Sequence, residues 1–289
     1  MSSSWQLWRD RRGCVSPLRI GALALLLFPL GKALFDVQAI LHGARPLNDV
    51  IHRAGFWALV LLGVTLAITP FRRLLHYGNL IDVRRILGVG CFCYIATHLT
   101  LFTADQMFDL GKVVHEISHR WYLIVGGTAW LGLATLAATS TDGMVKRLGG
   151  LRWRRLHMLV YGIALLALIH YFQQTKADVT VPVFAASLFA WLFGYRLVAW
   201  RQGGGELSTL TLCALAIAVS LLTFIGEAVG IGIAFHVSPM RVLDVAFDFS
   251  AGIRPGWEVL AAGLAVVVAD FVSGRLLNRP ARPRAVAAE

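Results

Sequence analysis

Charge is what this sequence has least of. Asp, Glu, Lys and Arg make up 15% of its 289 residues, against 57% hydrophobic ones. A soluble domain carries about a quarter charged residues, so an ordinary water-soluble globule is excluded. Acidic residues are the scarcer sign, 16 against 27 basic, leaving a formal charge of +11. Cysteine is scarce too. Cys14, Cys91, Cys93 and Cys213 follow no metal-ligand spacing, and Cys91 and Cys93 lie two apart inside an apolar run. They read as small packing residues, not as a disulfide framework. No long polar region carries a G-x-G-x-x-G turn, so the chain does not bind NAD(P)H in the Rossmann manner by itself. Nor is there an internal repeat of the kind that marks many transporters.

What the sequence has is long apolar runs. Eight of them, near 18–41, 54–70, 86–104, 122–139, 157–174, 182–199, 209–235 and 257–273, have roughly the length of a bilayer span. The fold class expected is an all-α polytopic membrane protein in contact with lipid. Within the first run Lys32 and Asp36 are spaced to pair across one helical turn, and Pro29 is placed to kink the helix. The run is too long for a signal-peptide core and has no small-residue cleavage site, so it reads as a retained span.

The connecting segments alternate in charge. One set is basic: Arg9, Arg11, Arg12 and Arg19; Arg72, Arg73, Arg84 and Arg85; Lys146, Arg147, Arg152, Arg154 and Arg155; Arg196 and Arg201; and a tail with Arg275, Arg279, Arg282 and Arg284. In the other set acids offset bases, as Asp105, Asp109 and Glu116 do Lys112 and Arg120, or Asp178 does Lys176. The positive-inside rule puts both termini in the cytoplasm. The net charge is thereby explained by topology and not by nucleic-acid binding. Gly203-Gly204-Gly205 is the one linker-like stretch. It divides a six-span functional module, 1–202, from a two-span C-terminal extension with a basic tail, 203–289.

Ionisable groups inside a span suggest function, and the histidines are the candidates. A basic stretch, Arg152-Trp153-Arg154-Arg155, leads into the fifth run, which carries His157 at its start and His170 thirteen residues on. His98 lies about 12 residues into the third run, and His170 about 13 into the fifth, so both reach roughly 18–20 Å above the basic edge. Two imidazoles at one depth on co-directional helices can clamp a heme iron from both faces. At the basic edge Arg84 stands fourteen residues before His98, on nearly the same helix face, with a residual of roughly 40°. An arginine stays protonated and does not ligate iron, but it binds a propionate or phosphate. Arg84 with His157 therefore reads as a one-histidine site for an anionic cofactor. The thirteen-residue spacing of His157 and His170 leaves roughly 220° on an ideal helix. Either the helix deforms between them or the two levels use different sides of it.

The stretches Ile68-Thr69-Pro70-Phe71-Arg72-Arg73-Leu74, Arg84-Arg85-Ile86-Leu87-Gly88 and Tyr94-Ile95-Ala96-Thr97-His98-Leu99 recur in a known order. So do Thr139-Ser140-Thr141, Leu148-Gly149, Trp153, Leu156-His157 and Tyr161. Over about 18–200 the chain resembles the MsrQ (formerly YedZ) family, within the ferric-reductase-like transmembrane group. The family supplies the heme-binding membrane subunit of the bacterial periplasmic methionine sulfoxide reductase system. The resemblance implies a six-helix heme bundle in the inner membrane, heme b in one copy or two, and FMN. It implies electrons drawn from the quinone pool or a cytosolic flavin reductase and passed to a periplasmic molybdopterin reductase, MsrP. The family's histidines fall on His98, His157 and His170. The last two spans exceed the six-span pattern.

Two rival readings remain. The wider group suggests ferric iron as acceptor. His115-Glu116-Ile117-Ser118-His119 matches H-E-x-x-H, a zinc-protease motif that needs a third protein ligand, for which only Glu227 and Glu258 offer themselves. Near the span ends, His52-Arg53 is placed to cap heme propionates on the side away from the basic loops.

Overall fold

The computed structural model describes residues 7–9, 12–175 and 178–277. Among these the regular structure is helical. In order come α1 (Pro17–Phe35), α2 (Val37–Leu41), α3 (Pro46–Leu74), α4 (Arg84–Asp105, after a 3-10 turn at Gly78–Val83), α5 (Leu110–His119) and α6 (Trp121–Ala138). There follow α7 (Asp142–Leu148), α8 (Gly150–His157), α9 (Leu159–Gln174), α10 (Thr180–Arg201), α11 (Thr209–Phe235), α12 (Pro239–Ala246) and α13 (Pro255–Leu277). Among the described residues eight segments are long and apolar enough to cross a bilayer, which makes the chain a multi-pass membrane protein. Arg11, Lys176 and the tail arginines at 279, 282 and 284 lie outside the described residues.

Local chemistry fixes the ends. Ser16 caps α1, its hydroxyl accepting from the Arg19 amide, with Pro17 in the first turn where a missing amide costs nothing. Asp109 caps α5 and Ser208 caps α11 in the same way. Two boundaries differ from the sequence expectation. The first run stops at Phe35, and 37–41 form a separate turn of helix, because the Asp36 side chain is drawn to Lys32 (3.0 Å) and to Arg53 of α3 (2.8 Å). The second span begins at Pro46, eight residues earlier than the hydropathy suggests, so His52 and Arg53 stand within α3. Pro29 is accommodated inside α1.

The chain packs as two compact units. One comprises Met1–Ile68 with Leu80–Ala185, the other Thr69–Asn79 with Ala186–Glu289. In the first, α6 packs closely along α9, burying Leu133, Leu136, Ile163, Ala164 and Leu168. Tyr94 of α4 donates to the Leu26 carbonyl of α1 at 2.6 Å. In the second, α11 packs along α13, and Gly203-Gly204-Gly205 is a turn inside this unit. Three of its buried polar contacts are Thr223 donating to Ser187 (2.8 Å), Ser220 donating to the Gly256 carbonyl (2.9 Å), and Arg254 donating to Glu227, while the indole N–H of Trp191 is buried without a partner among the described residues.

Candidate metal centre

All four predicted site residues lie in the first unit, on α4, α8 and α9. His98 and His170 come together: their ring centres are 6.4 Å apart and their planes cross at 85°. Each ring is held the same way. His98 Nδ1 lies 2.8 Å from the Ile51 carbonyl oxygen of α3, and His170 Nδ1 lies 2.8 Å from the Tyr122 carbonyl oxygen of α6. A carbonyl only accepts, so Nδ1 carries the proton in both rings and Nε2 keeps its lone pair. Among the described residues neither Nε2 has a hydrogen-bond partner.

This donor set fits a metal held between the rings. An imidazole nitrogen binds a transition metal at roughly 2 Å, and the ring centre lies about 1.1 Å behind it, so two trans imidazoles stand about 6.3 Å apart. The separation observed agrees. The carbonyls are the outer-shell acceptors that metal-bound histidines usually have. A second feature points to a large group in this region. The indole N–H of Trp130 is buried without a partner, and its ring lies 6.0 Å from that of Phe92. By position along α6 and α4, both sit between the level of the paired histidines and the basic edge.

His157 and Arg84 occupy that edge. His157 ends α8, with its Nε2 3.3 Å from Thr139 Oγ1 and the Trp153 ring 4.0 Å away. Trp153 Nε1 in turn donates to the Thr139 carbonyl at 2.9 Å. Arg84 stands within electrostatic reach of the imidazole. A local irregularity of the helix lies between His157 and His170. The boundary falls at Met158, whose amide is shared between the Arg154 (3.1 Å) and Arg155 (3.2 Å) carbonyls, and the Tyr161 amide bonds three residues back to Met158 at 3.2 Å.

His52 lies within electrostatic reach of both paired rings. Its neighbour Arg53 is turned to Asp36, whose carboxyl is held below its ordinary value by hydrogen bonds from Lys32 and then Arg53. In the H-E-x-x-H segment the His115 and His119 rings stack 4.0 Å apart, but Glu116 is paired with Arg120 at 2.8 Å. Among the described residues no group of three or more His, Cys, Asp or Glu surrounds a common point. Glu227 is engaged by Arg254.

Sequence reasoning missed the two carbonyls and the glycines beneath the rings. A β-carbon at Gly126 would lie 2.8 Å from the His170 ring, and one at Gly55 3.1 Å from the His98 ring. The available signal was faint: a glycine one turn beyond each acceptor, on the helix facing each histidine.

Residues 54–168 match the ferric reductase like transmembrane component family. The chain is 44% identical over 161 residues to the protein-methionine-sulfoxide reductase heme-binding subunit MsrQ of Xanthomonas campestris pv. campestris (strain 8004), covering 55% of this chain and 72% of that protein. It is 41% identical over 181 residues to the subunit of the same name from Herminiimonas arsenicoxydans, covering 61% and 83%. No solved structure matches.

Proposed function

The chain belongs to the MsrQ family of heme-binding subunits, and on that premise we propose that it is a bacterial inner-membrane cytochrome of the b type. It draws electrons from quinol or reduced flavin and passes them to a periplasmic molybdopterin methionine sulfoxide reductase of the MsrP kind, which repairs oxidised proteins. The observation that carries the reading is the His98–His170 pair, 6.4 Å apart with both Nδ1 atoms tied back to carbonyls.

His98 and His170 are the proposed axial ligands of heme b. Bound there, the heme supplies a one-electron carrier. The chain supplies its basicity and placement. Each carbonyl pulls on an Nδ1 proton and so strengthens the ligand nitrogen opposite, and the apolar faces of α4, α6 and α9 keep water away. At the basic edge, Arg84 and His157 are the proposed holders of an anionic group, either the phosphate of FMN or a carboxylate of a second heme. Arg84 presents a permanent charge there, while Trp153 and Thr139 fix the imidazole. The basic loops face the cytoplasm in this reading, together with both termini.

An absorbance spectrum of the purified protein tests it first, with a Soret band that shifts on reduction as the expected result. His98→Ala and His170→Ala should each remove most of that band, and His170→Ala should abolish methionine sulfoxide reduction by the partner in membranes supplied with reduced flavin or quinol. Unchanged heme content in both variants sinks the ligand assignment.

A further inference from the structure

The two histidine arms repeat one construction. His98 lies over Gly55 and donates to the carbonyl of Ile51, one helical turn earlier on α3. His170 lies over Gly126 and donates to the carbonyl of Tyr122, one turn earlier on α6. In both arms the helix bearing the glycine runs toward the basic edge, and the helix bearing the histidine runs away from it. The interval from acceptor to glycine is four residues each time, so both lie on the same face, one above the other. A side chain at Gly126 would displace the ring, and one at Gly55 would press on its ring by a few tenths of an ångström. At Gly126 the new carbon would meet Cε1 and Nδ1 of His170 at 2.8 Å, and at Gly55 it would meet those atoms of His98 at 3.1 Å. The ring is thus tied at Nδ1 by the carbonyl and lies close against the glycine one turn on.

We propose that Gly55 and Gly126 are positioning residues that set the planes of the two imidazoles at right angles. The inference rests on the reading of His98 and His170 as ligands, and it adds where the 85° between their planes comes from. An added methyl cannot be relieved by the helix backbone. The ring must turn or withdraw, and either movement lengthens its bond to the carbonyl and re-aims Nε2. The angle matters electronically. Perpendicular imidazole planes leave the two iron orbitals that interact with them nearly equal in energy, and the ferric low-spin form then shows one dominant low-field EPR line. Parallel planes split those orbitals and give a rhombic three-line spectrum.

The test uses the purified full-length protein and four variants that each add one methyl to a helix interior. Gly126→Ala and Gly55→Ala enter the cradles. Gly127→Ala meets only Ile117 Cγ2, at 3.8 Å, and Gly162→Ala meets nothing within 4 Å, so these two carry the same change in helix propensity without touching a ring. The parent should show the single low-field EPR line. Gly126→Ala should lower heme content on the order of tenfold, the scale on which loss of an outer-shell partner weakens a metal site, and move the remaining ferric signal toward the rhombic form. Gly55→Ala should do the same to a smaller degree, and the two controls should match the parent. If Gly126→Ala fails to accumulate, Gly55→Ala decides alone. Parental heme content, EPR and midpoint potential in both cradle variants would overturn the proposal, as would an equal change in Gly127→Ala. Should His98→Ala and His170→Ala keep their heme, the ligand reading falls instead. Should they lose it while the cradle variants stay parental, only the role of the glycines falls.

Discussion

At the scale of single residues, the paired histidines and the basic edge differ in what their nitrogens face. His98 and His170 give Nδ1 to carbonyls and keep Nε2 open, whereas His157 Nε2 is directed at Thr139 Oγ1. That hydroxyl already donates to the Thr135 carbonyl at 2.8 Å, so it can only accept, and His157 presents it with an N–H. A histidine engaged in this way, beside an arginine, is better suited to orient an anion than to bind iron. We therefore expect His157→Ala and Arg84→Ala to leave the heme held by His98 and His170 largely in place. Both should slow its reduction by a donor added on the basic side. Stopped-flow reduction of each variant against the parent checks this, and normal rates with normal cofactor content would reduce the edge to an interfacial cluster. The pairing of His98 with His170 was legible in the sequence because depth follows from counting residues along two co-directional helices. The carbonyls and glycines were not, because they belong to helices whose rotation about their own axes no residue count supplies.

At the scale of elements, apolar length announces the spans, but their ends obey side-chain chemistry. Hydropathy places the second span at 54, since Asn48, Asp49, His52 and Arg53 dilute it, yet the backbone turns helical at Pro46. The angular mismatch between His157 and His170 left two outcomes open, a deformed helix or two sites on different sides of it, and a helix boundary does fall at Met158. The last two spans show the reverse case, polar residues inside an apolar run. Glu227 of α11 has a side chain only 2% exposed, and its partner Arg254 is 24% exposed. A charge so deep is tolerated when paired, and removing one member of such a buried pair costs about 3–5 kcal/mol. Arg254→Ala and Glu227→Ala should each lower the thermal stability of the purified protein sharply. The Glu227→Leu, Arg254→Met double variant should recover most of the loss, because it removes both charges together. Additive losses in the double variant would show that the pair contributes by its charges and not by mutual cancellation.

At the scale of the whole molecule, direction is what the arrangement provides. Arg84 and His98 are fourteen residues apart on one continuous helix, roughly 21 Å along its axis, in a hydrocarbon layer of about 30 Å. The paired histidines therefore lie beyond the midplane as seen from the basic edge. Under the positive-inside rule that edge is cytoplasmic, and reporter fusions after Ala104 and after Gln174 should read as external. A cytoplasmic reading at either point would reverse the direction of transfer along with the topology. In the proposed function a carrier past the midplane would pass its electron to a separate acceptor reached from outside. Two acceptors compete, an oxidised methionine sulfoxide reductase and chelated ferric iron. The kinetics of reoxidation separate them. Chemically reduced protein, mixed with the oxidised partner, should lose its reduced-heme spectrum quickly, and chelated ferric iron at equal concentration should act slowly. The opposite order would make this protein a transmembrane ferric reductase, with the same histidines at the same depth serving a different acceptor.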